Sequence, residues 1–148
     1  MAGSKTDAFE TDILELIFEN ADLAAIGDGT GLQGSSTPGD FYIALFTGDP
    51  TDTGSIAAEA TYTGYARKSI ARAGAQWTTA SGVTENTAAI TFDPCTGGSN
   101  TITHFAICKA GTRDITDLIY HGDLTASRNV SDGITPEFAA GDLTVTEG

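Results

Sequence analysis

The chain has 148 residues, of which 40% are hydrophobic, and it carries 20 acidic residues against seven Lys and Arg, a formal charge of −13. This charge argues against direct binding to nucleic acid or to anionic membranes, because both need clustered cations. A chain of this length buries about 68–70% of its unfolded surface, which predicts a folded domain that needs no metal or disulfide. Cys95 and Cys108 are accordingly predicted to be small core residues.

The first predicted element is an acidic amphipathic helix whose apolar residues recur at three- and four-residue spacing. Ser4 or Thr6 is predicted to cap its start, and Gly27 is predicted to end it in a left-handed conformation. The apolar stripe consists of Phe9, Ile13, Leu16, Ile17 and Leu23 or Ala24. The sequence leaves open whether this stripe covers the protein's own sheet or forms an arm that packs on another subunit.

The next segment, GTGLQG at Gly29 to Gly34, has the glycine spacing of a dinucleotide-binding loop. Such a loop requires a strand before it and a helix after it. Here a predicted helix comes first and the predicted strand FYIALFT follows, so the order is reversed. We therefore predict no nucleotide site and no cofactor, and we interpret the segment as a flexible connection.

From residue 41 onward the sequence has the pattern of short strands separated by turn residues. FYIALFT is nearly all apolar and predicts a central strand that is covered on both faces. AQWTTASGVTENTAAITFDP predicts a hairpin with its turn near Ser81-Gly82 or Glu85-Asn86, and TITHFAICKA and DLIYHGDLTASRNV predict further strands. We predict a mainly β protein, with an N-terminal helical arm and glycine-rich loop over residues 1–40. Residues 41–148 are predicted to form an antiparallel β-sandwich or jelly-roll-like domain of about eight strands.

The sequence shows no pattern of a catalytic or metal-binding site, so we expect no enzyme activity. His104 and His121 lie in predicted strands without a third ligand at suitable spacing, and we interpret them as half-buried or interface residues. Asp49 and Asp52 share a loop that does not fit an EF-hand. Trp77 is interpreted as a core or subunit contact, with a stacking platform for sugars as the minority alternative.

Five segments carry a resemblance to known proteins: FYIALFTGDPTDTG, ATYTGYARKSI, NTAAITFDPCTG, ITHFAICKAG and LIYHGDLTASRNVSDGITPEFAAGDLTVTE. Together they resemble small virion structural proteins of tailed bacteriophages, a family whose members are often labelled tail fibre proteins. The resemblance runs from the helix to the C-terminal strand, and it implies a structural part of the phage particle.

A long fibre shaft shows repeats or heptads, and this chain has neither. We therefore expect a capsid decoration (cement) protein that binds the outer shell and stabilises neighbouring capsid subunits, after a stage in the host cytoplasm during assembly. The alternative is a short tail-tip or tail-fibre protein, and a module that binds host carbohydrate and attaches the particle to the host surface is kept open as well. The expected partners are the major capsid protein and further copies of the chain, with a trimer favoured, and neither nucleic acid nor membrane. The expected contact residues are Phe9, Ile13, Leu16, Ile17 and Leu32.

Overall fold

The computed structural model describes residues 3–147, and these residues form a mainly β protein. Strands make up 38% and helices 11%, with nine strands in antiparallel sheets and a helix near the N-terminus of the described chain, which confirms the predicted fold class. The strands are β1 (Asp40–Phe46), β2 (Lys68–Ala71), β3 (Trp77–Ala80), β4 (Val83–Asn86), β5 (Ile90–Thr91), β6 (Ser99–Cys108), β7 (Leu118–Ser131), β8 (Glu137–Phe138) and β9 (Thr144–Thr146).

The described residues group into two compact units. The first unit contains the residues up to Gly39, Ala71–Ala89 and the residues from Phe138 onward, and the second contains Asp40–Ile70 and Ile90–Glu137. Three segments of the chain thus form the first unit and two form the second. Boundaries between the units fall inside β2 and β8. The division into residues 1–40 and 41–148 stays a prediction.

The first unit begins with α1 (Asp7–Leu14), which continues into a π-helical turn, Glu15–Glu19. Thr6 caps α1 as predicted, since its hydroxyl accepts a hydrogen bond from the Phe9 amide at 3.4 Å. Two acidic residues in the first turn of α1 also suit the positive end of the helix dipole. The start of the helix is therefore well determined by its local sequence.

The helical segment ends at Asn20, and the prediction that it continues to Gly27 is wrong. Asn20 adopts a left-handed conformation with φ of 60°. Its side-chain amide donates to the Ser35 carbonyl at 2.9 Å and accepts from the Ser35 amide at 2.6 Å. Asparagine tolerates this conformation because its short polar side chain replaces lost backbone hydrogen bonds, so it ends the helix without glycine.

The helix covers the sheet of its own unit, in which the strand order is β3-β4-β9. Leu14 and Phe18 are fully buried, and the Thr11 hydroxyl accepts a hydrogen bond from the Gly82 amide at 2.9 Å. The face that packs is therefore offset from the predicted stripe. Four stripe residues stay partly exposed: Phe9, Ile13, Leu16 and Ile17. The short helix has two overlapping apolar faces, one with Leu14 and Phe18 and one with the predicted stripe. The sequence pattern alone does not indicate which of them is buried.

The predicted hairpin of this unit is confirmed. β3 and β4 pair in antiparallel register from Trp77↔Asn86 to Ala80↔Val83. Ser81 and Gly82 form the turn with φ of 53° and 72°. Positive φ at both central residues is the conformation that matches the twist of a two-residue hairpin.

The glycine-rich loop is closed at its base by backbone hydrogen bonds, and its interpretation as a flexible connection stays a prediction. Leu23 and Leu32 exchange two amide-to-carbonyl bonds, each 2.8 Å long. A Cβ atom at Gly31 would lie 2.0 Å from the Leu23 carbonyl oxygen, and one at Gly34 would lie 2.2 Å from that of Asn20. Gly31 and Gly34 therefore permit close approach of two chain segments.

The second unit is built on a four-stranded sheet with the order β2-β1-β6-β7. β1 lies inside this sheet, and the prediction of a central strand is confirmed, because its residues from Ile43 to Phe46 are all buried although they alternate between the two faces. Ala44 pairs with Ala106 of β6, and Ala106 pairs with His121 of β7. This register places His121 on the same face as the small core alanines.

Glu15 in the π-helical turn has an unfavourable charge at neutral pH. Burial, followed by the charges of Glu19 and Asp12, raises the pKa of Glu15 above its ordinary value of 4.5. A carboxyl whose pKa is raised in the folded state contributes stability below its unfolded pKa and loses that contribution as pH rises through the folded pKa. Ionised Glu15 therefore destabilises the first unit at pH 7.

We expect Glu15→Gln to raise the free energy of unfolding at pH 7 by about 0.2–0.5 kcal/mol, the scale of like-charge repulsion on a helix. The gain should disappear below a pH of about 3, where Glu15 is protonated in both states. Urea titrations at the two pH values measure both effects, with the exposed Asp132→Asn as the control. A gain of equal size at both pH values would contradict the electrostatic cause.

Candidate functional site

A buried charge cluster organises the second unit. The side chains of Glu59 and Arg67 are 0% and 1% exposed. Arg67 donates from Nε and Nη2 to the two carboxylate oxygens of Glu59 at 2.9 and 3.0 Å, a bidentate pair. The Tyr65 hydroxyl donates to Glu59 Oε1 at 3.0 Å and accepts from the Leu45 amide at 3.1 Å. The cluster therefore links residues 59–67 to β1 through the hydrogen bond between Tyr65 and Leu45.

The same cluster holds the connection between β6 and β7. Arg67 Nη1 donates to the Ala110 carbonyl at 3.0 Å and lies 3.9 Å from Asp117 Oδ2. Arg113 Nε lies 3.3 Å from Glu59 Oε2. Three contacts thus fix residues 110–117, which include a short 3₁₀ helix, Ile115–Asp117, just before β7 begins.

Burial governs the titration of the groups around the cluster. Burial alone lowers the pKa of Arg67, but its hydrogen bonds to Glu59 raise it, and the net shift is upward. The guanidinium therefore stays charged. Burial also raises the pKa of Cys108 to about 11, so this thiol is neutral. Cys95 and Cys108 are both free and buried, which confirms their prediction as core residues.

A surface cavity of about 390 Å³ lies between the fixed connection and the loop that follows β1. One wall is the loop Thr51–Gly54, and the other contains Ile115 and the first residues of β7. Ile115 and Ile119 both line the cavity and are 47% and 40% exposed, so two large aliphatic side chains face solvent at this one place. The remaining lining residues are Thr116, Leu118, Tyr120 and His121.

Carboxylates surround the histidine of this cavity. His121 Nδ1 lies 3.4 Å from Asp49 Oδ1, and its Nε2 lies 3.3 Å from Asp52 Oδ1. Further along the sheet, His104 Nε2 lies 2.9 Å from Asp123 Oδ1. Both imidazoles are partly buried, as predicted, and both pair with carboxylates at the surface. Within residues 3–147, no group of three His, Cys, Asp or Glu side chains is arranged to hold a metal ion.

The contact residues predicted from sequence lie elsewhere, in the first unit. Leu32 is exposed on the glycine-rich loop, and the other four stay partly exposed on the helical segment: Phe9, Ile13, Leu16 and Ile17. Their role as contacts, the major capsid protein as partner and the homotrimer stay predictions. Trp77 is fully buried, so its use as a surface platform for sugars is wrong.

Sequence reasoning missed the cavity and the cluster that fixes it. Glu59 and Arg67 belong to no strand pattern, and the cavity walls are separated by about sixty residues along the chain. One signal was present, since RDITDLIYH places Ile115 and Ile119 in a segment otherwise rich in charge. Exposed aliphatic residues next to a strand edge are typical of a binding surface.

The fold is that of a mainly β protein, and the cavity at the start of β7 is lined by both apolar and polar side chains. The model of a family described as "Podophage GP4 fiber I protein gp80" matches residues 5–146, nearly the whole chain. The chain belongs to this family, which confirms the resemblance to phage virion proteins and makes it a phage structural protein. No curated protein matches the chain. In the described part of the chain, no helix is long and apolar enough to span a membrane.

Proposed function

We propose that this protein is a non-enzymatic structural component of a phage tail fibre. The observation that carries the proposal is the family match, whose description names a fibre protein and which covers residues 5–146. That description favours the tail-fibre alternative of the sequence analysis and gives no support to capsid decoration. The proposed location therefore moves from the outer shell to the tail.

The sequence also limits which part of a fibre the chain forms. It has no heptads and no internal repeat, which are typical of long shafts. We infer that it lies at the tip or at an attachment point of the fibre. The formal charge of −13 supports attachment to partners that present basic surfaces.

Immunogold electron microscopy of purified particles tests the location. An antibody raised against the isolated protein is applied to whole phage and to separated heads and tails, with pre-immune serum as the control. We expect gold on tails only. Gold spread over heads would contradict the tail location and favour a capsid decoration protein. No gold on whole particles or on separated heads and tails would show that the protein is not a component of the virion.

A further inference from the structure

We propose that the open edge of β7, together with the cavity at its start, binds an extended protein segment that alternates basic and apolar residues. The proposal concerns an interaction surface of the second unit, and it does not depend on the fibre assignment. Its occupant is a strand from a different protein, which adds to the sheet beside β7 by backbone pairing.

β7 is the last strand in the order of its four-stranded sheet. This strand has 14 residues, and β6 is its sheet neighbour on one side while the order β2-β1-β6-β7 leaves the other side open within the described chain. In an antiparallel pair the amides and carbonyls of one strand alternate in direction, so about half of those in β7 point away from β6. Such groups provide a template for an added strand.

The register of β7 shows where its pairing with β6 is regular. Extra residues interrupt the pairing between Ile107 and Cys108 and again between Ile102 and His104. Two stretches, Tyr120–Asp123 and Arg128–Ser131, pair residue by residue with β6. Irregular pairing bends a strand and protects its edge, so another strand is able to add along a regular stretch. Of the two, Tyr120–Asp123 adjoins the cavity, and we place the added strand there.

An apolar wall of the cavity lies beside the stretch Tyr120–Asp123. Ile115 and Ile119 are two of the four large hydrophobic residues that are exposed among the described residues, and both line the cavity. Ile119 is the extra residue at the irregularity next to Tyr120, so it is not paired with a residue of β6. A cavity of about 390 Å³ accommodates an apolar side chain of the incoming segment, which would remove both isoleucines from water.

The surface around the stretch Tyr120–Asp123 carries several carboxylates. The carboxylates of Asp49, Asp52 and Asp123 are largely exposed around the regular stretch, where they contact histidines. The residues that line the cavity include no Lys or Arg. A segment with basic residues complements this surface, whereas a second copy of a chain with charge −13 and seven cations does not. We therefore assign the edge to a basic partner segment.

The test uses two synthetic peptides, acetyl-KVKVKVKV-amide and its acidic counterpart acetyl-EVEVEVEV-amide, titrated into the full-length ¹⁵N-labelled protein. We expect the basic peptide to shift amide resonances of Thr51–Gly54 and Leu118–Asp123, and the acidic peptide to shift none. Binding should weaken when salt is raised, because exposed charge pairs are screened. Shifts confined to the acidic helix α1, or equal effects of both peptides, would overturn the proposal.

Matched variants distinguish this surface from general attraction to an acidic protein. The double variant D52N/I119S should bind the basic peptide at least about tenfold more weakly. The control D132N/I134S removes an exposed carboxylate and an exposed isoleucine beyond the other end of β7 and should bind within about twofold of the parent. Equal loss in both variants, or no loss in the first, would contradict the site. Equal urea midpoints for the three proteins establish that binding, and not folding, has changed.

Discussion

Replacing Glu59 by Gln should lower the free energy of unfolding of the second unit by about 3–5 kcal/mol. The Glu59 side chain is fully buried, and its carboxylate forms ion pairs with both Arg67 and Arg113. The amide of glutamine keeps the shape of the side chain but removes the bidentate counter-charge of Arg67, which leaves the buried guanidinium only the more distant carboxylate of Asp117, 3.9 Å from Nη1. A buried cation that loses its close carboxylate is far more costly than a lost surface pair, which explains the large expected effect.

Urea unfolding followed by far-ultraviolet circular dichroism measures this loss. The control is Glu147→Gln at the partly exposed pair of Lys5 and Glu147, which are 2.9 Å apart and should be worth less than about 1 kcal/mol. Arg67→Met should also destabilise, and the double variant should lose less than the sum of the two single losses. A Glu59→Gln protein as stable as the Glu147→Gln control would mean that Arg67 is solvated and that the cluster is open to water.

The loss should extend to the proposed binding edge. Arg67 and Arg113 connect Glu59 to residues 110–117, which carry Ile115 and lead directly into β7. In a Glu59→Gln protein that remains folded without denaturant, residues 110–117 are held less firmly. The pairing register of β6 with β7 is unchanged. We therefore expect weaker binding of the basic peptide in this variant even where β7 is still paired with β6.

Local patterns predicted the parts of the fold that depend on near neighbours. The run FYIALFT predicts β1 because a strand inside a sheet is apolar on both faces. The Ser81-Gly82 turn is predictable because positive φ strongly favours glycine next to a small polar residue. The Thr6 cap needs one hydroxyl at one position. Each of these features is encoded within a few residues.

Features that depend on distant contacts were not predictable in the same way. Asn20 ends the helical segment because Ser35 lies within reach of its amide, and no local pattern indicates this. The buried Glu59–Arg67 pair gives no sequence signal, since most acidic residues of such a chain are solvated. The cavity needs Thr51–Gly54 and the start of β7 to meet, which only the tertiary fold brings about.

Replacing Trp77 by Ala should lower the free energy of unfolding of the first unit by about 3–5 kcal/mol, the usual cost of removing a buried aromatic side chain. Trp77 is fully buried, and its ring lies 4.8 Å from that of Phe18. Its indole N–H donates to the Ala71 carbonyl at 3.1 Å. The substitution removes the contact that holds the helical segment on β3, together with one buried hydrogen bond.

Circular dichroism is the appropriate probe, because Trp77 is the single tryptophan of the chain and its fluorescence disappears with it. Trp77→Phe should destabilise less than Trp77→Ala, since it keeps an aromatic ring against Phe18 and loses mainly the hydrogen bond. Thr78→Ala, at the exposed neighbouring position of β3, should change stability by less than about 0.5 kcal/mol. If the Trp77→Ala protein were as stable as the Thr78→Ala protein, this would contradict the burial of Trp77, and a surface ring that stacks on sugars would again have to be considered. A large loss would mean that any effect of Trp77→Ala on host binding reflects unfolding of the first unit, so that a receptor site must be sought in other residues.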